Sequence, residues 1–278
     1  MKVAVCWKWL SLDGEVDTDS RWAGVSPADE AALEVALTVA DGGEVAVVCL
    51  GPAEAEPTIR TAFAVGVQRV IRVDASPELD SLVVATALAE QVHDAELVVC
   101  GDYSLDRGTG SVPVFLAAEL GAAQALGLVD VGLSGSDVSG KGTSGKAGTL
   151  RVIRRLDGGR REILDVPTPA VISVEGSVAR LRRAPLSAAL ASRSAEITVV
   201  RGPFGRLPES EIHPYRPRSR MLPAPEGDAL ARLRELIDVG GSEGNTETLM
   251  MEPSDAATKI VEQLREWGYL ADPEMPAS

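Results

Sequence analysis

Through roughly the first 125 of its 278 residues, short and almost continuously apolar runs alternate with longer stretches of helical period, and that alternation narrows the folds open to the chain. Strands over Val3–Trp7, Glu44–Leu50, Gln68–Val73 and Leu97–Gly101 are each followed by a helix. The helices run from Ser26 to about Ala40, from Gly51-Pro52 to about Val65, over Asp80–His93 and over Thr109–Leu120. Ser26-Pro27-Ala28-Asp29-Glu30 supplies a capping hydroxyl, a proline in the first turn and acids where the helix dipole favours them. Gly66 and Gly121 close the second and fourth helices. Strands apolar on both faces, joined by amphipathic helices, predict an α/β fold: a doubly wound, mostly parallel sheet with helices on both faces. Ligands of such folds bind beyond the carboxyl ends of the strands, here the loops after Trp7, Leu50 and Gly101.

After Gly127 the pattern changes. Leu126–Val131, Leu150–Arg154, Arg160–Asp165 and Ala170–Val174 read as short strands with turn signals such as Asp157-Gly158-Gly159, which predicts an antiparallel extension of the sheet. A helix over Ala184–Ser192 and a last strand over Glu196–Val200 complete a domain of residues 1–200. From Arg201 onward, Pro203, Pro208, Pro214, Pro217, Pro223 and Pro225 break any regular element, so residues 201–278 read as a Pro/Gly-rich C-terminal arm. Two short helices are expected in it, Gly227–Val239 and Ser254–Trp267, docked either on a partner or on the chain's own domain.

Charge excludes some functions. The net −14 argues against nucleic acid, whose binding needs Lys and Arg against phosphates. The charge is uneven: residues 151–220 carry 14 basic and 7 acidic side chains, and all 14 are Arg, which reads either as a solvated face or as a docking surface for an acidic partner or anionic cofactor. No apolar run approaches the roughly 18 residues of a membrane span, and Met1–Cys6 lacks the layout of a signal peptide. Cys6, Cys49 and Cys100, an odd set without CxxC spacing, suit reduced thiols in the core of a cytoplasmic protein.

The motifs that look catalytic do not hold up. Gly135 to Lys141 begins like a phosphate-binding P-loop but has Gly142 where Ser or Thr would hold magnesium, and it reads as a loop between strands. Gly240-Gly241-Ser242-Glu243-Gly244 fits a nucleophile elbow in letters only, since it follows a helix. His93 and His213, the only histidines, lie away from the strand ends, and no metal-ligand spacing occurs. Neither a catalytic residue nor a metal site is therefore expected. The loop from Gly101 to Val112 differs from these: it leads from a strand into a helix, with glycines that allow close backbone approach and a helix start that offers amide donors to an anion.

Taken together, four stretches resemble the β subunit of electron transfer flavoproteins. They are Val5-Cys6-Trp7-Lys8; Ser26-Pro27-Ala28-Asp29-Glu30-Ala31-Ala32-Leu33-Glu34; Gly51-Pro52 with Thr58 to Ala62 and Ala64-Val65-Gly66; and Ser104-Leu105-Asp106-Arg107-Gly108-Thr109-Gly110. The likeness continues through Pro169–Val174 and Arg183–Leu186, and the tail, with Lys259-Ile260-Val261 and Trp267-Gly268-Tyr269-Leu270, is similar to the β subunit of the mycofactocin redox-peptide system. The resemblance implies an adenine nucleotide alpha hydrolase-like domain in a heterodimer whose α subunit holds most of an FAD. Electrons would pass from a dehydrogenase to an acceptor such as a quinone reductase, and this non-catalytic subunit would also hold AMP, as typical members do, or a second flavin, as electron-bifurcating relatives do. By position, Cys6, Lys8, Ser26, Ala28, Asp29, Leu50, Ser104, Asp106, Arg107, Gly108, Thr109, Gly110, Ser111 and Val112 would surround that nucleotide. Leu186 matches the leucine that anchors partner dehydrogenases, with Arg180, Arg182 and Arg183 as a steering patch. Ser26, Ala28, Ser111 and Pro113 depart from the family's asparagine, aromatic, glutamine and glycine, which removes contacts from the nucleotide site. The alternative is a stand-alone adenine-nucleotide binding or sensing domain, since a fold does not fix a function.

Overall fold

The computed structural model describes residues 1–11, 23–76, 79–133, 148–203, 228–230, 232, 249–267 and 269–270. The chain divides into two units, Met1–Glu211 and Ile212–Ser278. In the first, β1 (Val3–Trp7) leads to a small antiparallel pair, β2 (Leu10–Ser11) with β3 (Ala23–Gly24), and then to α1 (Pro27–Ala40) and β4 (Val45–Gly51). A single 3-10 turn, α2 (Glu56–Ile59) and α3 (Thr61–Ala64) connect to β5 (Arg69–Asp74), followed by α4 (Ser81–Val92), β6 (Leu97–Gly101) and α5 (Val112–Leu120). The remainder is β7 (Ala123–Leu133), β8 (Thr149–Arg155), β9 (Arg161–Pro167), β10 (Ala170–Val174), α6 (Leu186–Ser192) and β11 (Thr198–Arg201).

Nine strands form one sheet in the order β11-β5-β4-β1-β6-β10-β7-β8-β9. The pairings from β11 to β7 are parallel; β7 with β8 and β8 with β9 are antiparallel. The doubly wound α/β expectation holds. Side chains of β1 divide by alternation, as a strand's must: Val3, Val5 and Trp7 enter the core beneath α1, while Ala4 and Cys6 enter the core shared with α4 and α5. Helices on both faces are what make these strands apolar throughout.

Three expectations are corrected. Ala170–Val174 is not part of the antiparallel extension, because β10 inserts parallel between β6 and β7. The helix expected from Gly51-Pro52 to Val65 is divided at Arg60 into α2 and α3, although Arg60 keeps helical φ/ψ and its amide donates to the Glu56 carbonyl at 2.9 Å; the Thr61 hydroxyl donates to the Thr58 carbonyl beside this joint. The fourth helix begins at Val112 rather than Thr109, because Gly110 has a left-handed φ of 57°. The Gly135–Lys141 and Gly240–Gly244 motifs, His213, most of the proline-rich arm and most of the expected helix Gly227–Val239 lie outside the described residues. In the second unit, α7 (Pro253–Glu266) is amphipathic, with Ile260 and Val261 exposed.

Candidate functional site

A doubly wound sheet opens a crevice where neighbouring strands are followed by connections to opposite sides, and here that point is between β1 and β6. A half-open cleft of about 850 Å³, solvent at its mouth included, lies there. Its floor is Cys6 and Cys100 at the strand ends, one wall is Lys8 and Trp9 after β1, and the other is the β6–α5 loop, including Tyr103, Ser104, Arg107 and Thr109–Val112. Leu50 closes it from β4, and Ser81, Val84 and Leu88 present one face of α4.

Asp29 also lines this floor, and its side chain is buried. Gly101 and Lys8 donate backbone N–H bonds to it, the latter at 3.4 Å, and no cation pairs with it among the described residues. Burial drives its pKa up to about 7, against the hydrogen bonds from Ser26, Lys8 and Gly101 that favour the charged form. The first turn of α1 holds it there: the Ser26 hydroxyl accepts from the Asp29 amide at 3.0 Å, and the Trp7 indole donates to the Asp29 carbonyl at 2.8 Å. Gly101 is required by this packing, since a β-carbon on it would lie 2.7 Å from the Asp29 carboxylate and 3.1 Å from the Ala28 methyl.

The β6–α5 loop is fixed at both ends. Lys8 pairs with Asp106 at 2.6 Å, and Arg107 donates to the Leu79 carbonyl at 2.9 Å, joining the loop to β1 and to the start of α4. Partial burial raises the Asp106 carboxyl, but the bonds from Lys8, Ser104 and the Arg107 amide outweigh it and hold the group near pKa 2. Lys8→Met is therefore expected to let Asp106 titrate close to its ordinary 3.8, which a carbon-detected NMR titration of that carboxyl reads directly. Ser111 bonds Thr109 at 3.0 Å and its side chain does not cap α5, whose first turn contains Pro113, a residue with no N–H, and has the Phe115 amide bonded to the Ser111 carbonyl at 3.2 Å. The Trp9 indole N–H is buried without a partner among the described residues.

Most of the residues expected from sequence meet in one place. Cys6, Lys8, Asp29, Leu50, Ser104, Arg107, Thr109, Gly110, Ser111 and Val112 line the cleft, whereas Ser26, Ala28, Asp106 and Gly108 stand behind it and support those that do. Trp9 and Leu79 were not expected, nor was the α4 face; the spacing of Ser81, Val84 and Leu88 at i, i+3 and i+7 was the available signal. The steering patch is only partly available. Arg182 is engaged with Glu34 through three guanidinium contacts, the shortest 2.7 Å, and its amide donates to the same carboxylate, leaving Arg180 and Arg183 exposed beside it. Arg151, Arg154 and Arg155 pair with Asp165, Glu162 and Glu175, acids of the same stretch, so these three pairs leave its excess of arginine over acid unchanged. Leu186 and Leu190 on α6 are 76% and 55% exposed.

The electron transfer flavoprotein domain matches residues 15–203. Among curated proteins, the chain is 33% identical to the electron transfer flavoprotein subunit beta of Bradyrhizobium diazoefficiens over 54% of this chain and 57% of that protein. It is 30% identical to the subunit of the same name from Dictyostelium discoideum, over 66% of this chain and 70% of that one. It is 28% identical to protein FixA of Azorhizobium caulinodans over 63% of each. The match thus spans little more than half of the first of these relatives and about two thirds of the others.

Proposed function

The chain belongs to the electron transfer flavoprotein β-subunit family, and from that premise we propose that it is the β half of a heterodimeric electron carrier. Its α partner would hold most of an FAD. When bound, the flavin supplies the redox chemistry, taking electrons from a dehydrogenase and giving them to an acceptor such as a quinone reductase. This chain would contribute a wall that keeps water out, and a cleft that holds AMP.

The observation that carries the reading is the cleft at the β1/β6 crevice, built from the same loops whose sequences resemble the family. Its chemistry fits a nucleotide monophosphate: the start of α5, which has no side-chain cap, and the hydroxyls of Ser104, Thr109 and Ser111 suit a phosphate, and Leu50, Val84 and Leu88 offer apolar surface to a base. Gly110 supports the fit, because a β-carbon there would lie 2.5 Å from the Asp102 carbonyl and force the loop out of shape. Tyr103, Leu105, Val114 and Phe115, between 36% and 50% exposed, flank the mouth as apolar surface of the kind a partner covers. No described helix is long and apolar enough to cross a membrane.

Co-expression with the α-subunit candidate, followed by an absorbance spectrum and chromatography of released nucleotides, tests this. One flavin and one AMP per heterodimer are expected. A colourless, stable chain that binds no α subunit overturns the carrier reading and leaves a nucleotide-binding domain. Reduction of the complex by a mycofactocin-dependent dehydrogenase is the expected result if the tail's likeness reflects its partner. Of the surface residues, Leu186→Glu is expected to abolish electron transfer from the dehydrogenase while leaving flavin content intact. Reversing Arg180 and Arg183 together is expected to slow association roughly 10-fold at low ionic strength, with the difference vanishing at high salt.

A further inference from the structure

The three cysteines are not equivalent. Cys6 and Cys100 are register partners on adjacent parallel strands, both face the core shared with α4 and α5, and both form the floor of the cleft. Cys49 points into the opposite core, wholly buried, and borders no part of the cleft. Two thiols that share a face and a solvent-reachable cavity are a dithiol rather than two packing residues.

The geometry points to a reversible disulfide between Cys6 and Cys100, made and broken by exchange with small disulfides and thiols that enter the cleft. Neighbouring strands lie about 4.7–4.9 Å apart, inside the Cα separation of about 4.4–6.8 Å that disulfides span. The β-carbons of in-register partners keep nearly that spacing, somewhat beyond the roughly 3.5–4.5 Å a relaxed bridge prefers, so the bond is strained and easily reduced. Cys6 with Cys100 is also the last pair of the β1/β6 ladder, while the outer ladders run one pair further, Trp7 with Cys49 and Gly101 with Val174, so closing the bridge draws on the side chains more than on the backbone.

The thiols divide the work. A hydrogen bond between the Cys6 and Cys100 side chains, with burial, raises the Cys100 thiol well above its usual range. Cys6 is therefore the attacking sulfur. After losing its proton it attacks one sulfur of a small disulfide, breaking that S–S bond, forming a mixed disulfide and releasing one small thiol. The Cys100 sulfur, losing its proton, then attacks the Cys6 sulfur and expels the second small thiol. The protein loses two electrons and two protons, which leave in the two thiol products, and nothing else is consumed.

Oxidised glutathione is the probe, applied to the reduced full chain at neutral pH, with thiols counted after denaturation and the intact mass recorded. Two of the three thiols are expected to disappear, with a mass loss of two hydrogens, no retained glutathione, a Cys6–Cys100 linkage in the peptide map and full recovery under dithiothreitol. Cys49→Ala is expected to behave like the parent. Cys100→Ala is expected to stop at a glutathione adduct on Cys6, and Cys6→Ala to react at least ~10-fold more slowly. Retention of all three thiols by folded protein overturns the proposal, as does a linkage through Cys49 or between chains. The parent's peptide map decides the matter even where a substituted chain fails to fold.

Discussion

At pH 8, Asp29→Asn is expected to make the chain more stable than the parent, by up to about 4 kcal/mol. The folded carboxyl keeps its proton up to about pH 7, whereas in the unfolded chain it ionises near 3.8. Between those values the folded state binds the extra proton, so parental stability falls as pH rises, and the loss is complete above the folded pKa. Each pH unit removes about 1.4 kcal/mol across a gap of roughly three units. Asparagine has the same shape and no charge to desolvate. Its melting temperature should exceed the parent's by several degrees at pH 8, and the two should converge below the unfolded pKa of 3.8, where the carboxyl is neutral in both states. Parallel melting curves from pH 4 to pH 8 would show that the carboxyl is not strained by burial.

Gly110→Ala is expected to act in the opposite direction and on the cleft itself. The residue sits at φ 57°, which disfavours a side chain by about 1–2 kcal/mol, and its β-carbon would lie 2.5 Å from the Asp102 carbonyl, which strand pairing holds in place. The Asp102 amide donates to Val174 at 3.0 Å, so that carbonyl cannot withdraw freely. The loop must shift instead, taking the start of α5 with it. AMP affinity should fall roughly 100-fold, equivalent to about 2.7 kcal/mol. Gly108→Ala is the internal comparison: its φ is 63°, but the added carbon meets nothing closer than 3.8 Å. It should show the conformational penalty alone, and equal losses at the two positions would rule out the clash as the cause.

The parts legible in the sequence were those governed by local chemistry. Val3–Trp7, Leu97–Gly101 and Ala170–Val174 appear with their expected limits, because apolar runs bounded by polar residues define strands without reference to anything distant. Ser26 caps α1 as its spacing with Asp29 requires. What could not be read was order across the sheet. Nothing in Ala170–Val174 announces that it lies between β6 and β7, and nothing in Thr198–Arg201 announces that it returns to the far edge beside β5. The cleft was legible from the strand-end rule, but Asp29's isolation and the Arg182–Glu34 pair depend on contacts spanning 21 and 148 residues. Such contacts leave no periodic trace.

The place of β10 bears on how the molecule comes off the ribosome. β6 and β7 are complete by residue 133, yet the strand that joins them ends at residue 174 and the one that covers β5 at residue 201. Until those segments emerge, a nascent chain presents open strand edges at the middle and at the border of its sheet, the surfaces most prone to wrong pairing. Closure of the sheet is thus a late, long-range event, and a polypeptide interrupted near residue 150 would be a substrate for chaperones rather than a smaller working domain.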